Sequence, residues 1–63
     1  MKRKLLLKHL QRNNCTLHRE GGNHSLFKNN TNGKISTIPR HPDINDLLAN
    51  EICKQLEIPK VKL

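Results

Sequence analysis

Apolar residues recur along this chain in two rhythms, a helical one near each end and an alternating one between. Near the start, Leu6, Leu7 and Leu10 stand at i, i+1 and i+4, while Lys4, Lys8 and Gln11 fall away from them. That spacing predicts an amphipathic helix over residues 2–11. Asn13 and Asn14 follow, and asparagine tolerates the left-handed conformation that ends helices. Cys15 to Arg19 alternates and predicts a first strand with Cys15 and Leu17 inward. His24 to Lys28 predicts a second strand. Lys34 to Ile38 predicts a third, stopped by Pro39, which cannot donate to a ladder.

The connections fit the same order. Glu20-Gly21-Gly22-Asn23 reads as a turn by composition. Asn29 to Gly33 reads as a hairpin loop, with Asn32-Gly33 supplying residues that accept positive φ. Arg40 to Asp43 is a connecting loop. Ile44, Leu48, Ile52 and Leu56 then step by four, with Leu47 beside them. This predicts a second helix, capped by Asp43 or Asn45 and running to about Leu56. Pro59 prevents its continuation, and residues 59–63 are expected to fray. The expected fold is therefore α+β, in the order α-β-β-β-α. A three-stranded antiparallel sheet would carry both helices on one face, in one domain over residues 1–63.

Alternation within the second strand divides its chemistry. Phe27 is the sole aromatic residue and belongs beneath the helices, with Ser25 on the same face. His24, Leu26 and Lys28 then share the opposite, open face. Leu26 sits there less comfortably than the other two.

Charge narrows the partners. Twelve Lys and Arg face five acids, for a formal net charge of +7. A surface of that sign attracts nucleic acid, an anionic membrane or an acidic protein. The run Leu5-Leu6-Leu7 is too short for a signal-peptide core or a membrane span, so a cytoplasmic protein is expected. Cys15 and Cys53 read as small core residues without an oxidising compartment to pair them.

Three features bear on chemistry. His24 follows a glycine pair, and imidazole exchanges protons near neutral pH, although a lone histidine can also be purely structural. Arg40 and His41 leave the end of the third strand, where they could approach His24 if the second strand is central. A planar guanidinium can grip phosphate oxygens; a solvated turn is the alternative for both residues. The acids form no carboxylate cluster in sequence, and Cys15 and His18 would point to opposite faces of a strand. No cofactor or metal site is expected. With no exposed aromatic platform for stacking bases, work on a phosphate backbone is what remains.

Gly21-Gly22-Asn23-His24, the glycine hairpin, Ile38-Pro39-Arg40-His41-Pro42 and the terminal helix ending Ile52-Cys53-Lys54-Gln55-Leu56-Glu57-Ile58 together resemble the HicA toxins. These are small ribonucleases, or mRNA interferases, of bacterial toxin–antitoxin pairs. The resemblance covers about residues 2–58. It implies a double-stranded-RNA-binding-domain-like fold and a match between His24 and the family's catalytic histidine. It also implies cleavage of mRNA without a metal, and a HicB antitoxin that covers the site. On that reading His24 is the general base or acid, and Gly22, Asn23, Lys28, Lys34, Arg40 and His41 contact RNA. The alternative is a non-catalytic RNA-binding module on the same scaffold. Two positions depart from the family pattern: Glu57 stands where glycine is frequent, and Gly22 where serine is common.

Overall fold

A computed structural model describes residues 1–61 and has the expected element order. Helix α1 spans Arg3–Arg12, strands β1, β2 and β3 span Cys15–Glu20, His24–Asn29 and Ile35–Pro39, and helix α2 spans Asp46–Leu56. The strands form one antiparallel sheet in the order β1-β2-β3, so β2 is central. Residues 62–63 of the expected frayed tail lie outside the described residues. Ahead of them, His9 Nε2 donates to the Pro59 carbonyl at 2.7 Å, and Val61 packs against the core.

Burial along β2 alternates without a break. Ser25, Phe27 and Asn29 are buried, while Leu26 and Lys28 are half-buried and His24 is exposed. Leu6 and Leu10 of α1, Cys15 of β1, Ile38 of β3, Ile44 ahead of α2, and Ala49, Ile52, Cys53 and Leu56 of α2 form the core with Phe27. Each buried polar side chain on the sheet is satisfied. Asn29 Nδ2 donates to the Leu56 carbonyl at 2.8 Å, and Ser36 Oγ donates to Gln55 Oε1 at 2.6 Å. These bonds fasten α2 to the sheet while filling groups that would otherwise be costly to bury. Cys15 and Cys53 are free and fully buried, as small core residues should be. Burial pushes both thiols above their ordinary pKa, which favours the neutral form.

Four expectations need correction. Leu17 pairs with Phe27 and so lies on the helix-facing side, but it is half exposed. It sits on an edge strand with no neighbour beyond it, and the ladder slips between Leu17 and Arg19. On α2 the buried face is Ala49, Ile52, Cys53 and Leu56, whereas Leu48 is 42% and Leu47 81% exposed. The small side chains at 49 and 53 turn toward the core and rotate the two leucines outward. Pro39 is the last residue of β3 rather than the residue beyond it. In the hairpin loop, Gly33 alone of the Asn32-Gly33 pair takes positive φ.

The cap of α2 is Asn45, whose side chain accepts the Leu47 N–H at 2.8 Å. Ile44 before it and Ala49 after it are both buried, the N′ and N4 positions of a hydrophobic staple. At the other end the Ile58 N–H reaches the Cys53 carbonyl and the Glu57 N–H reaches that of Lys54, which is a Schellman motif. Glu57 therefore occupies the left-handed position, with φ 57° and ψ 46°.

A β-carbon in that conformation costs roughly 1–2 kcal/mol, partly offset by the extra freedom glycine gives the unfolded chain, about 0.4–1 kcal/mol. The Lys34–Glu57 pair, at 3.7 Å and exposed on both sides, returns little. Glu57→Gly should stabilise the protein by about 0.5–1 kcal/mol, raising Tm by about 2–8 °C. Thermal unfolding followed by circular dichroism checks this, and a lowered Tm would contradict it.

Candidate active site

The site forms where the start of β2 meets the end of β3. His24 pairs with Pro39 in the antiparallel register, so the chain leaving β3 carries Arg40 and His41 back past His24. Gly22, Asn23, His24, Arg40 and His41 line one open pocket of about 480 Å³. The sequence expectation that the Arg40-His41 loop approaches His24 therefore holds. Among the described residues, no group of three His, Cys, Asp or Glu side chains converges as a metal site would require.

Backbone groups organise this pocket through Arg40. Its Nη2 donates to the carbonyl oxygens of Gly21, Gly22 at 2.9 Å and His24 at 3.2 Å. Two N–H bonds are thus shared among three carbonyls, and the guanidinium acts as a clamp across the turn. Nε lies 3.6 Å from Glu20 Oε1, which balances part of the charge. The His24 carbonyl faces the turn that joins β1 to β2, where it accepts both Arg40 and the Gly21 N–H, the latter at 2.8 Å.

Gly21 is favoured by this close approach. A β-carbon there would stand 3.1 Å from the His24 carbonyl oxygen, tighter than most such contacts. Gly22 differs, because a β-carbon on it would meet nothing within 4 Å. The serine common at that position in the family pattern would fit, so Gly22 costs no packing.

A second layer lies behind the clamp. Glu20 falls opposite Ser25 after the slip in the β1–β2 ladder. The Ser25 hydroxyl donates to Glu20 Oε1 at 2.6 Å and accepts Arg3 Nη2 at 3.0 Å. Arg3 Nε also donates to the Pro39 carbonyl at 2.9 Å. Helix α1 is thereby tied to the end of β3 and to the first inward residue of β2. Arg3, Glu20 and Ser25 were not singled out from sequence. Glu20 and Ser25 are five apart across a turn and were open to a register argument. Arg3 is 36 residues from Pro39, and its position depends on tertiary packing.

Both expected RNA-contacting lysines lie outside this pocket. Lys28 shares the open face with His24 but lies four residues along β2, roughly 13 Å away at the rise of an extended strand. Lys34 is in the connection before β3, beyond the far end of the sheet, and pairs with Glu57.

Residues 3–58 match the family model described as the HicA toxin of bacterial toxin-antitoxin. Comparison with curated proteins and with solved structures found no match.

The clamp has a direct consequence for motion. Arg40→Ala should speed amide exchange at Gly21 by about five- to tenfold, the scale of losing partly exposed charge-assisted hydrogen bonds. Arg40→Lys should recover only part of the protection, since one ammonium lacks the planar fork. Hydrogen exchange followed by NMR reads both; protection unchanged in Arg40→Ala would remove the clamp.

Proposed function

The chain belongs to the HicA toxin family, the toxin side of a bacterial toxin–antitoxin pair, and from that membership and the His24 pocket we propose that it is an endoribonuclease acting on mRNA. The observation that carries this reading is an exposed imidazole whose own carbonyl is held by Arg40 and the Gly21 N–H, beside a pocket shared with Arg40 and His41. Net charge +7 supplies the attraction for a polyanion. The partner that silences the toxin is a HicB-type antitoxin protein, and the place of action is the cytoplasm. Among the described residues no helix is long and apolar enough to cross a membrane.

RNA carries its own nucleophile. The 2′-oxygen attacks the adjacent phosphorus, a P–O bond to the 2′-oxygen forms, and the bond to the 5′-oxygen breaks. The products are a 2′,3′-cyclic phosphate and a free 5′-hydroxyl. One proton leaves the 2′-hydroxyl and one arrives at the 5′-oxygen, so the step needs a base, an acid and stabilisation of the crowded phosphate. His24 carries one of the two transfers, and water entering the open pocket carries the other. Arg40 neutralises the phosphate, and His41 supplies a further hydrogen-bond donor to it. Arg40 Nη2 is committed to the turn, and Nη1, which makes no hydrogen bond among the described residues, is the edge available to a phosphate oxygen. Gly22 and Asn23 admit the backbone to the pocket, while Lys28 attracts the RNA along the open sheet face and Lys34 acts at longer range. No metal is needed for any of these steps.

His24→Ala should lower RNA cleavage by about 10²-fold or more, the usual worth of a positioned acid–base group. Growth inhibition on induced expression should disappear with it. The fold should persist, because the side chain is exposed and the register of β2 depends on other residues. Cleavage should also be unaffected by EDTA. Undiminished cleavage by a nuclease-free preparation of the variant would remove His24 from the mechanism. RNA binding with no cleavage by either form would leave an RNA-binding module instead.

A further inference from the structure

The positive charge of this chain is strongly segregated. Residues 1–19 hold Lys2, Arg3, Lys4, Lys8, Arg12 and Arg19 and no acid, whereas residues 20–63 set the other six Lys and Arg against all five acids. The first part thus carries a net +6 and the rest +1. Within it, Lys4, Lys8 and Arg12 are spaced i, i+4, i+8 on α1 and all three are exposed. None of them forms an ion pair among the described residues. Three adjacent, unpaired like charges on one helix face repel one another and weaken the helix. Arg12 in the last turn is favoured by the helix dipole, but Lys4 in the first turn is disfavoured by it, so local stability does not account for the row as a whole.

Its position supplies a reason. The N-terminal end of α1 is tied to the end of β3 through Arg3 and the Pro39 carbonyl. Lys4 lines a hollow of about 380 Å³ with Lys2, Arg3, Arg40 and Pro42. Arg40 also lines the His24 pocket, so the two hollows share a wall. The row of cations starts at the edge that Arg40 shares with the site, in the helix layer behind the open face that carries His24, and runs away from that edge. Four residues of helix rise about 6 Å, so the three charges cover about 12 Å, the length of about four stacked nucleotides at 3.4 Å per strand.

Resting on the ribonuclease reading, we propose that Lys4, Lys8 and Arg12 form a track for the phosphates of single-stranded RNA flanking the cleaved bond. The substrate then extends about four nucleotides from the His24 pocket along α1. Contacts of this kind carry position and affinity without reading bases. The track therefore favours long RNA over short fragments and adds no sequence preference of its own.

The test measures binding of a labelled single-stranded RNA of mixed sequence, on a His24→Ala background, across a salt series. Each phosphate contact contributes about 0.7 to the slope of log K against log salt for single strands. The variant Lys4→Gln, Lys8→Gln, Arg12→Gln should therefore lose about 2 from that slope, and each single substitution about 0.7. The single variants keep the test decisive should the triple variant fail to fold. Lys54→Gln on α2 should leave the slope as it was. A slope unchanged by the α1 substitutions overturns the track and leaves the row facing something else, such as an acidic protein surface. A His24-intact protein that binds RNA with the expected slope but never cleaves it would sink the ribonuclease reading and leave the track standing.

Discussion

A pleated strand can give the core only every second residue, and the central strand of this sheet is where that constraint governs the molecule. Phe27 has to be buried, since it is the largest apolar side chain available. Ser25 and Asn29 follow it inward and must then find hydrogen bonds, which Arg3, Glu20 and the Leu56 carbonyl supply. His24, Leu26 and Lys28 are sent to the open face by the same rule. Helix docking, the buried polar links and the exposure of the histidine thus share one cause. Moving the register by one residue would bury His24 and expose Phe27 together.

The pocket is built by a second constraint, the crowding of main-chain carbonyls at the turn ahead of β2. Those of Gly21, Gly22 and His24 converge on Arg40, and that of His24 also accepts the Gly21 N–H. One guanidinium therefore fixes the turn and the main chain of the residue proposed to react. Rigid placement of that kind is what an open, solvent-filled site needs, because it cannot rely on closure for orientation. The matching family model over residues 3–58 brings a toxin role, and the site proposed for it is small, open and lined by Arg40 and His41.

Much of this was legible from residue pattern alone. Periodicity gave the five elements, the alternation of β2 gave the exposure of His24, and the central position of β2 brought Arg40 and His41 to it. The face of α2 was legible in part: Ile44, Ile52, Cys53 and Leu56 are buried as expected, but Leu47 and Leu48 are exposed and Ala49 is buried in their stead. Close packing prefers the small residues at the interface, and sequence pattern carries no term for that. Leu17 was misjudged for a related reason, as alternation gives the face of a residue but not whether anything covers it. The left-handed Glu57 was visible only as a departure from the family pattern. The clamp by Arg40 depends on main-chain carbonyls, which no side-chain pattern records.

The central claim is that an imidazole-assisted attack by the 2′-oxygen cuts the RNA, and the chemistry of the new ends tests it most directly. Fragments produced by the purified protein should carry a 2′,3′-cyclic phosphate at one end and a free 5′-hydroxyl at the other. Mass spectrometry of a defined oligonucleotide, with labelling of 5′-hydroxyl ends by a kinase, reads both. Fragments with a 5′-phosphate and a 3′-hydroxyl would contradict the account, since water rather than the 2′-oxygen would then be the nucleophile.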